Sequence, residues 1–192
     1  MDFNHIVKAS LIFVIVTFFS CASAATTPHA IVCEQTYALC TSAKCLPDPN
    51  NAGKSLCECA VQQGKSAGFT TCDKRKPYLD QYRATHVIST FSFEQFGSKK
   101  SLSCPKGAPW SNCVDMPCTV DPQNSDRAIC LCELNVTQAF FTFGGNCESD
   151  ACTSGFWSGA IPGSASDALR NALNNGASNP VAPLSCSINA AG

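Results

Sequence analysis

Polar and apolar residues alternate most cleanly in two stretches, "SLCECAV" (55–61) and "AICLCELNV" (128–136), and this period of two predicts β-strands. Cys57, Cys59 and Val61 share one face of the first; Cys130, Cys132, Leu134 and Val136 share one face of the second. Ahead of each stands Asp-Pro-x-Asn, at Asp48–Asn51 and Asp121–Asn124. That order suits a type I turn, because the Asp carboxylate bonds the following amides and Pro presets φ. Each stretch is therefore read as the second strand of a β-hairpin. "THVISTFSF" (85–93) alternates more coarsely, with Val87, Phe91 and Phe93 on one face, and predicts a further strand; "QAFFTF" (138–143) reads as extended. The charged residues Lys74 to Lys76 read as a solvated loop.

One stretch carries the helical period, "SASDALRNALNNG" (164–176). Ser164 or Ser166 can cap it, Asp167 suits its first turn, Ala168, Leu169, Ala172 and Leu173 form an apolar stripe, and Gly176 ends it.

Superposing the two hairpins exposes an internal repeat. Cys40, Cys45, Cys57 and Cys59 map onto Cys113, Cys118, Cys130 and Cys132 at a constant offset of 73. Tyr37 meets Trp110, Lys54 meets Arg127 and Leu56 meets Ile129 in the same register. Cys33 with Cys104, and Cys72 with Cys147, extend the match with small slips, and Cys152 and Cys186 remain in the tail. In an extended strand the two sulfurs of a Cys-x-Cys pair point the same way from Cα atoms about 6–7 Å apart, so each is expected to bond a different partner.

The segmentation that follows is residues 1–24 as a cleaved leader, 30–76 and 100–150 as Cys-rich modules, 77–99 as a connecting strand region, and 151–192 as a tail with a short helix. The leader reading rests on "ASLIFVIVTFF" (9–19), which has no charge, followed by "SCASA" with Ala22 and Ala24 at the small-residue positions of a cleavage site. That run is shorter than the ~20 residues a membrane span needs. Lipid attachment at Cys21 is set aside because Phe18 stands where a lipoprotein signal prefers a smaller aliphatic residue. Cleavage would remove one of the 15 cysteines and leave an even number, which in an exported chain are expected to be disulfide-bonded. A formal charge of −1 with scattered charges gives no electrostatic case for nucleic acid.

Candidate chemistry is sparse. A four-thiolate zinc site needs reduced cysteines, which export argues against, and His29 and His86 are the only histidines after the leader; no metal or cofactor is expected. No Cys-x-x-Cys suggests a redox couple, and no Gly-x-Ser-x-Gly elbow suggests a hydrolase. Asp48 and Asp121 read as turn residues, and Tyr37 and Trp110 as packing aromatics. Phe156 and Trp157, between glycines in "SGFWSG", are the candidate binding residues, read as a loop contact. Asn135-Val136-Thr137 is a glycosylation sequon wherever the source glycosylates.

The unit spacing Cys-x6-Cys-x4-Cys-x11-Cys-x-Cys-x12-Cys resembles that of epidermal-growth-factor-like modules over residues 33–72, with a similar set over 104–147. The resemblance would imply the pairing Cys33–Cys45, Cys40–Cys57 and Cys59–Cys72, although six cysteines allow fifteen pairings. It stops at spacing: the family's Gly–aromatic step soon after the fifth cysteine and its acidic calcium signature are both missing, so the chain is not assigned to the family. The fold expected is a small disulfide-rich, mainly β protein with irregular loops, made of two tandem homologous hairpin modules packed together and a short C-terminal helix, with α+β overall as the alternative. The function expected is non-enzymatic recognition of an extracellular protein or glycan by a secreted, periplasmic or cell-surface protein. The competing classes are a small secreted hydrolase using His86 and an Asp, and a secreted hydrolase inhibitor.

Overall fold

The computed structural model describes residues 29–41, 43–92, 100–107, 109–144, 156–159, 164–176 and 185–186. They are mainly β. The strands are β1 (Ile31–Leu39), β2 (Lys44–Asp48), β3 (Asn51–Gly68), β4 (Tyr78–Leu79), β5 (Thr85–Ser92), β6 (Lys100–Cys104), β7 (Trp110–Asn112), β8 (Pro117–Asp121), β9 (Asn124–Asn135), β10 (Phe140–Gly144), β11 (Phe156–Gly159) and β12 (Ser185–Cys186). A helix, α1 (Ser164–Gly176), falls where the 3.6-residue period predicts it, with Leu169 buried and Ala168 and Ala172 packed beside Phe91 and Ala67.

Both predicted hairpins form. In each, the Asp carboxylate bonds the amide two residues on: Asn50 N–H donates to Asp48 Oδ1 at 2.9 Å and Gln123 N–H to Asp121 Oδ1 at 2.8 Å. The register shifts after Pro47 and again after Val120, so both hairpins carry a bulge at the same place. Cys45 lies directly across from Cys57, and Cys118 across from Cys130, with Cα atoms 4.1 and 4.0 Å apart, and each pair is disulfide-bonded. The next inward cysteine reaches the strand that follows along the same edge: Cys59 bonds Cys40 beyond β1, and Cys132 bonds Cys113 beyond β7, both at a Cα separation of 4.7 Å. Cys33–Cys72 encloses the first set.

The bridges are thus nested, and the pairing implied by the growth-factor-like spacing is wrong. The reason is the hairpin itself, which sets Cys45 directly opposite Cys57 and so joins the two cysteines that the implied pairing gives to Cys33 and Cys40. The two sulfurs of each Cys-x-Cys do bond different partners, as their strand setting requires. Cys104 is also disulfide-bonded, while Cys147 and Cys152, and the side chain of Cys186, lie outside the described residues.

The two hairpins are joined edge to edge. β3 and β9 pair antiparallel with Cys57 facing Cys130, Leu56 facing Leu131 and Glu58 facing Ile129. Since Cys57 and Cys130 hold corresponding positions, this ladder reads the same from either strand, which makes a local two-fold relation. β5 and β11 follow it. β5 lies parallel to the end of β1 and antiparallel to β8, while β11 lies parallel to β7 and antiparallel to β2. Each strand therefore fastens one hairpin to the other, and β5 closes the pairings into a ring by joining β8 back to β1.

Beneath the β3–β9 ladder lies a buried layer of disulfides. Cys40 Sγ touches Cys130 Sγ at 3.2 Å, and Cys113 Sγ touches Cys57 Sγ at 3.4 Å, so bridges of the two hairpins pack on each other. Trp110 is fully buried, stacks on Phe140 at 5.3 Å and donates its indole N–H to Gln138 O; Tyr37 is buried as well. Both aromatics therefore pack, as expected.

The expectation of a solvated loop at 74–76 fails at its centre. Lys74 and Lys76 are exposed, but Arg75 is fully buried and donates from Nη2 to Ile31 O at 2.7 Å and to Cys33 Sγ.

Candidate functional site

Because the cysteines of β3 and β9 point inward, the alternate residues of both strands point out. On the outer face Leu56, Leu131 and Ile129 stand side by side at 37, 40 and 45% exposure, and Leu46, across from Leu56 on β2, reaches 72%. These residues are large, aliphatic and central in the sheet. Leu56, Leu131 and Ile129 floor a cleft of about 900 Å³ whose other walls include Asp48, Glu58, Tyr78, His86, Thr119, Asp121 and Arg127.

The rim is acidic on balance. Arg127 Nη1 is held by Glu58 Oε1 at 2.7 Å, and Lys54 Nζ sits 3.8 Å from Glu133 Oε1 just beyond the floor. Asp48 and Asp121 each commit Oδ1 to their own turn.

One end of the cleft carries a polar relay. The antiparallel β4–β5 and β5–β8 pairings set Tyr78, His86 and Thr119 in one row across three strands. Tyr78 stacks on the His86 ring at 4.9 Å. His86 Nε2 lies 3.1 Å from Asp80 Oδ2, and Nδ1 lies 3.4 Å from Thr119 Oγ1. Asp80 is held in turn by the tight bend it starts, accepting at Oδ1 from Tyr82 N–H at 2.8 Å and Ala84 N–H at 2.9 Å. The His86 bond, followed by the Ala84 amide, holds the Asp80 carboxyl below its ordinary range. With a proton on Nε2, His86 donates to Asp80 and leaves Nδ1 to accept from the Thr119 hydroxyl. Such a relay can fix a ligand hydroxyl or amide, or activate a nucleophile.

Sequence reasoning offered His86 only with an Asp, as the core of a competing hydrolase reading, and His86 does lie in a cleft with an Asp and a hydroxyl in reach. It missed Asp80, Thr119, Tyr78 and the aliphatic floor. Asp80 had a signal, an acid opening a turn six residues before a histidine; Thr119 had none, because only the β5–β8 pairing brings it there.

Phe156 and Trp157 stand in β11, hydrogen-bonded through the backbone on both sides rather than in a loop, and their side chains lie outside the described residues. Asn135 closes β9, its Oδ1 accepting from Thr137 N–H and Gln138 N–H. Among the described residues two cysteine triplets have metal-ligand proximity, Cys40–Cys118–Cys130 and Cys45–Cys57–Cys113, but every one of these sulfurs is in a disulfide and so is no thiolate ligand. Among the described residues no helix is long and apolar enough to cross a membrane.

Comparison with protein-family models, curated proteins and solved structures finds no match to this chain.

Proposed function

We propose that this is an exported protein, built from two copies of one stapled unit, that recognises a protein partner through the cleft on the outer face of β3 and β9. The observation that carries the reading is the cluster Leu56, Leu131 and Ile129 on the cleft floor, exposed at the centre of a sheet whose other face is sealed by disulfides. Exposed aliphatic side chains gathered in a concavity mark interaction surfaces, whereas scattered ones do not.

Partner chemistry follows from the walls. An aliphatic floor offers a sugar ring little to stack on or hydrogen-bond with, which favours protein over glycan. The carboxylates of Asp48, Glu58 and Asp121 against a single, already paired Arg127 favour a basic segment. An extended segment of alternating aliphatic and basic residues would set one row on the floor and the other toward the rim.

The probe is a Lys-Leu-Lys-Leu-Lys-Leu-Lys peptide, titrated into isotope-labelled protein while amide shifts are followed. Shifts confined to β3, β8 and β9 around Leu56, Ile129 and Leu131, and absent with the Glu-Leu counterpart, support the reading. Equal response to both peptides, or shifts elsewhere, would sink it.

A further inference from the structure

We infer that the relay Thr119–His86–Asp80 gives the cleft a second capability: hydrolysis of carboxylic esters whose acyl chain lies on the Leu56–Ile129–Leu131 floor. The inference is independent of which protein segment the cleft binds. Asp80 from the β4–β5 turn and Thr119 from the distant strand β8 converge on His86 at one end of the cleft, 3.1 and 3.4 Å from its two ring nitrogens. The imidazole is held at both ring nitrogens and on one ring face. Asp80 anchors Nε2, and Asp80 is itself locked by the Tyr82 and Ala84 amides. Tyr78 covers the ring face. A base oriented by a third group, with its other nitrogen on a hydroxyl, is the arrangement nucleophilic catalysis requires. Thr119 is exposed and lines the cleft beside Ile129, its neighbour across the ladder.

The reaction balances without a further reagent except water. Thr119 Oγ1 passes its proton to His86 Nδ1 and forms a bond to the ester carbonyl carbon. The C–O bond to the alcohol breaks, and the departing alkoxide takes the proton from Nδ1. Water then attacks the acyl group on Thr119 and gives a proton to Nδ1; the bond to Oγ1 breaks, and Oγ1 recovers the proton. Asp80 touches no reacting atom and acts as a positioning residue that stabilises the transient imidazolium.

Substrate class is limited by what surrounds Thr119. Cys118 and Thr119 are paired with β5 on one side and β9 on the other, so the backbone amides of these two residues are committed to ladders. An oxyanion donor accounts for roughly 10²–10³ in rate where one exists. Esters with good leaving groups therefore fall within reach and amides do not.

The test uses the full chain with p-nitrophenyl butyrate. Turnover should exceed that of free imidazole at the same concentration, and an acyl group should be trapped on the peptide containing Thr119. Thr119→Val, which keeps the β-branched shape and removes only the hydroxyl, should lose at least about 100-fold, and His86→Gln similarly, in keeping with the size of general-base catalysis. Thr119→Ser should retain activity. Asp80→Asn should lower kcat with KM unchanged. A wild-type rate no faster than imidazole, or an undiminished rate in a folded Thr119→Val protein, overturns the inference.

Discussion

Arg75 is fully buried, yet among the described residues its Nε and Nη1 find no hydrogen-bond partner, and Asp115 Oδ1 is in the same condition. Burial pulls the guanidinium's pKa down and the nearby Asp115 carboxylate opposes this. Both atoms crowd Gly68: a Cβ there would collide with Asp115 Oδ1 and come within 2.9 Å of Arg75 Nη1. Gly68→Ala should therefore cost about 1–3 kcal/mol, the usual range for overpacking, and an unchanged denaturant midpoint would contradict this packing. A Lys-Arg-Lys run gives no sign that its middle residue goes inside, because the run reads as charge while burial depends on the backbone oxygen of Ile31. Asp80 makes a prediction with a sign. Its carboxyl is held low, so its contribution is complete above the ordinary Asp value of about 4 and is lost as pH falls through the lower folded value. Protection of the Tyr82 and Ala84 amides, taken relative to intrinsic exchange at each pH, should fall at that acid end, and Asp80→Asn should lower it at neutral pH as well.

Hairpins, turns and the helix were legible because each is dictated by neighbours in sequence: Asp before Pro, cysteines on alternate positions, a stripe from Ala168 to Ala172. Disulfide pairing was only half legible. That the two sulfurs of Cys57 and Cys59 must part company follows from strand geometry, but their partners depend on which strand lies along the edge of β3. β11 was not legible at all, since a Gly-flanked Phe-Trp looks like a loop until β2 and β7 close on it. Its kinship with β5 shows only in three dimensions. Ser158 N–H bonds Ala43 O as Ser89 N–H bonds Met116 O, and both serine side chains are buried. Peptide mapping without reduction should return the nested bridges, with Cys104 joined to Cys147 if the recurrence of Cys33–Cys72 holds. Replacing Cys45 and Cys57 together by Ala should cost about 3 kcal/mol in the chain-entropy account; a map with Cys33–Cys45 would refute the nesting.

At the scale of the whole molecule the two hairpins are interlocked. β5 needs β8 as well as β1, and β3 needs β9. A fragment ending at residue 92 should consequently show no dispersed amide spectrum, whereas separable beads on a string would allow it to fold. Interlocking also explains why the cleft exists: the ladder that joins the hairpins is the ladder whose outer residues form its floor. The most direct measurement is the affinity of the Lys-Leu peptide for the wild-type protein and for a double variant, Ile129→Ser with Leu131→Ser, whose fold is spared because both side chains are outside the core. Each aliphatic lost from the contact should weaken binding about tenfold, from the ~1.5 kcal/mol its burial supplies. For the double variant the expected loss approaches a hundredfold at unchanged thermal stability; equal affinity for the two proteins would rule out docking on this floor.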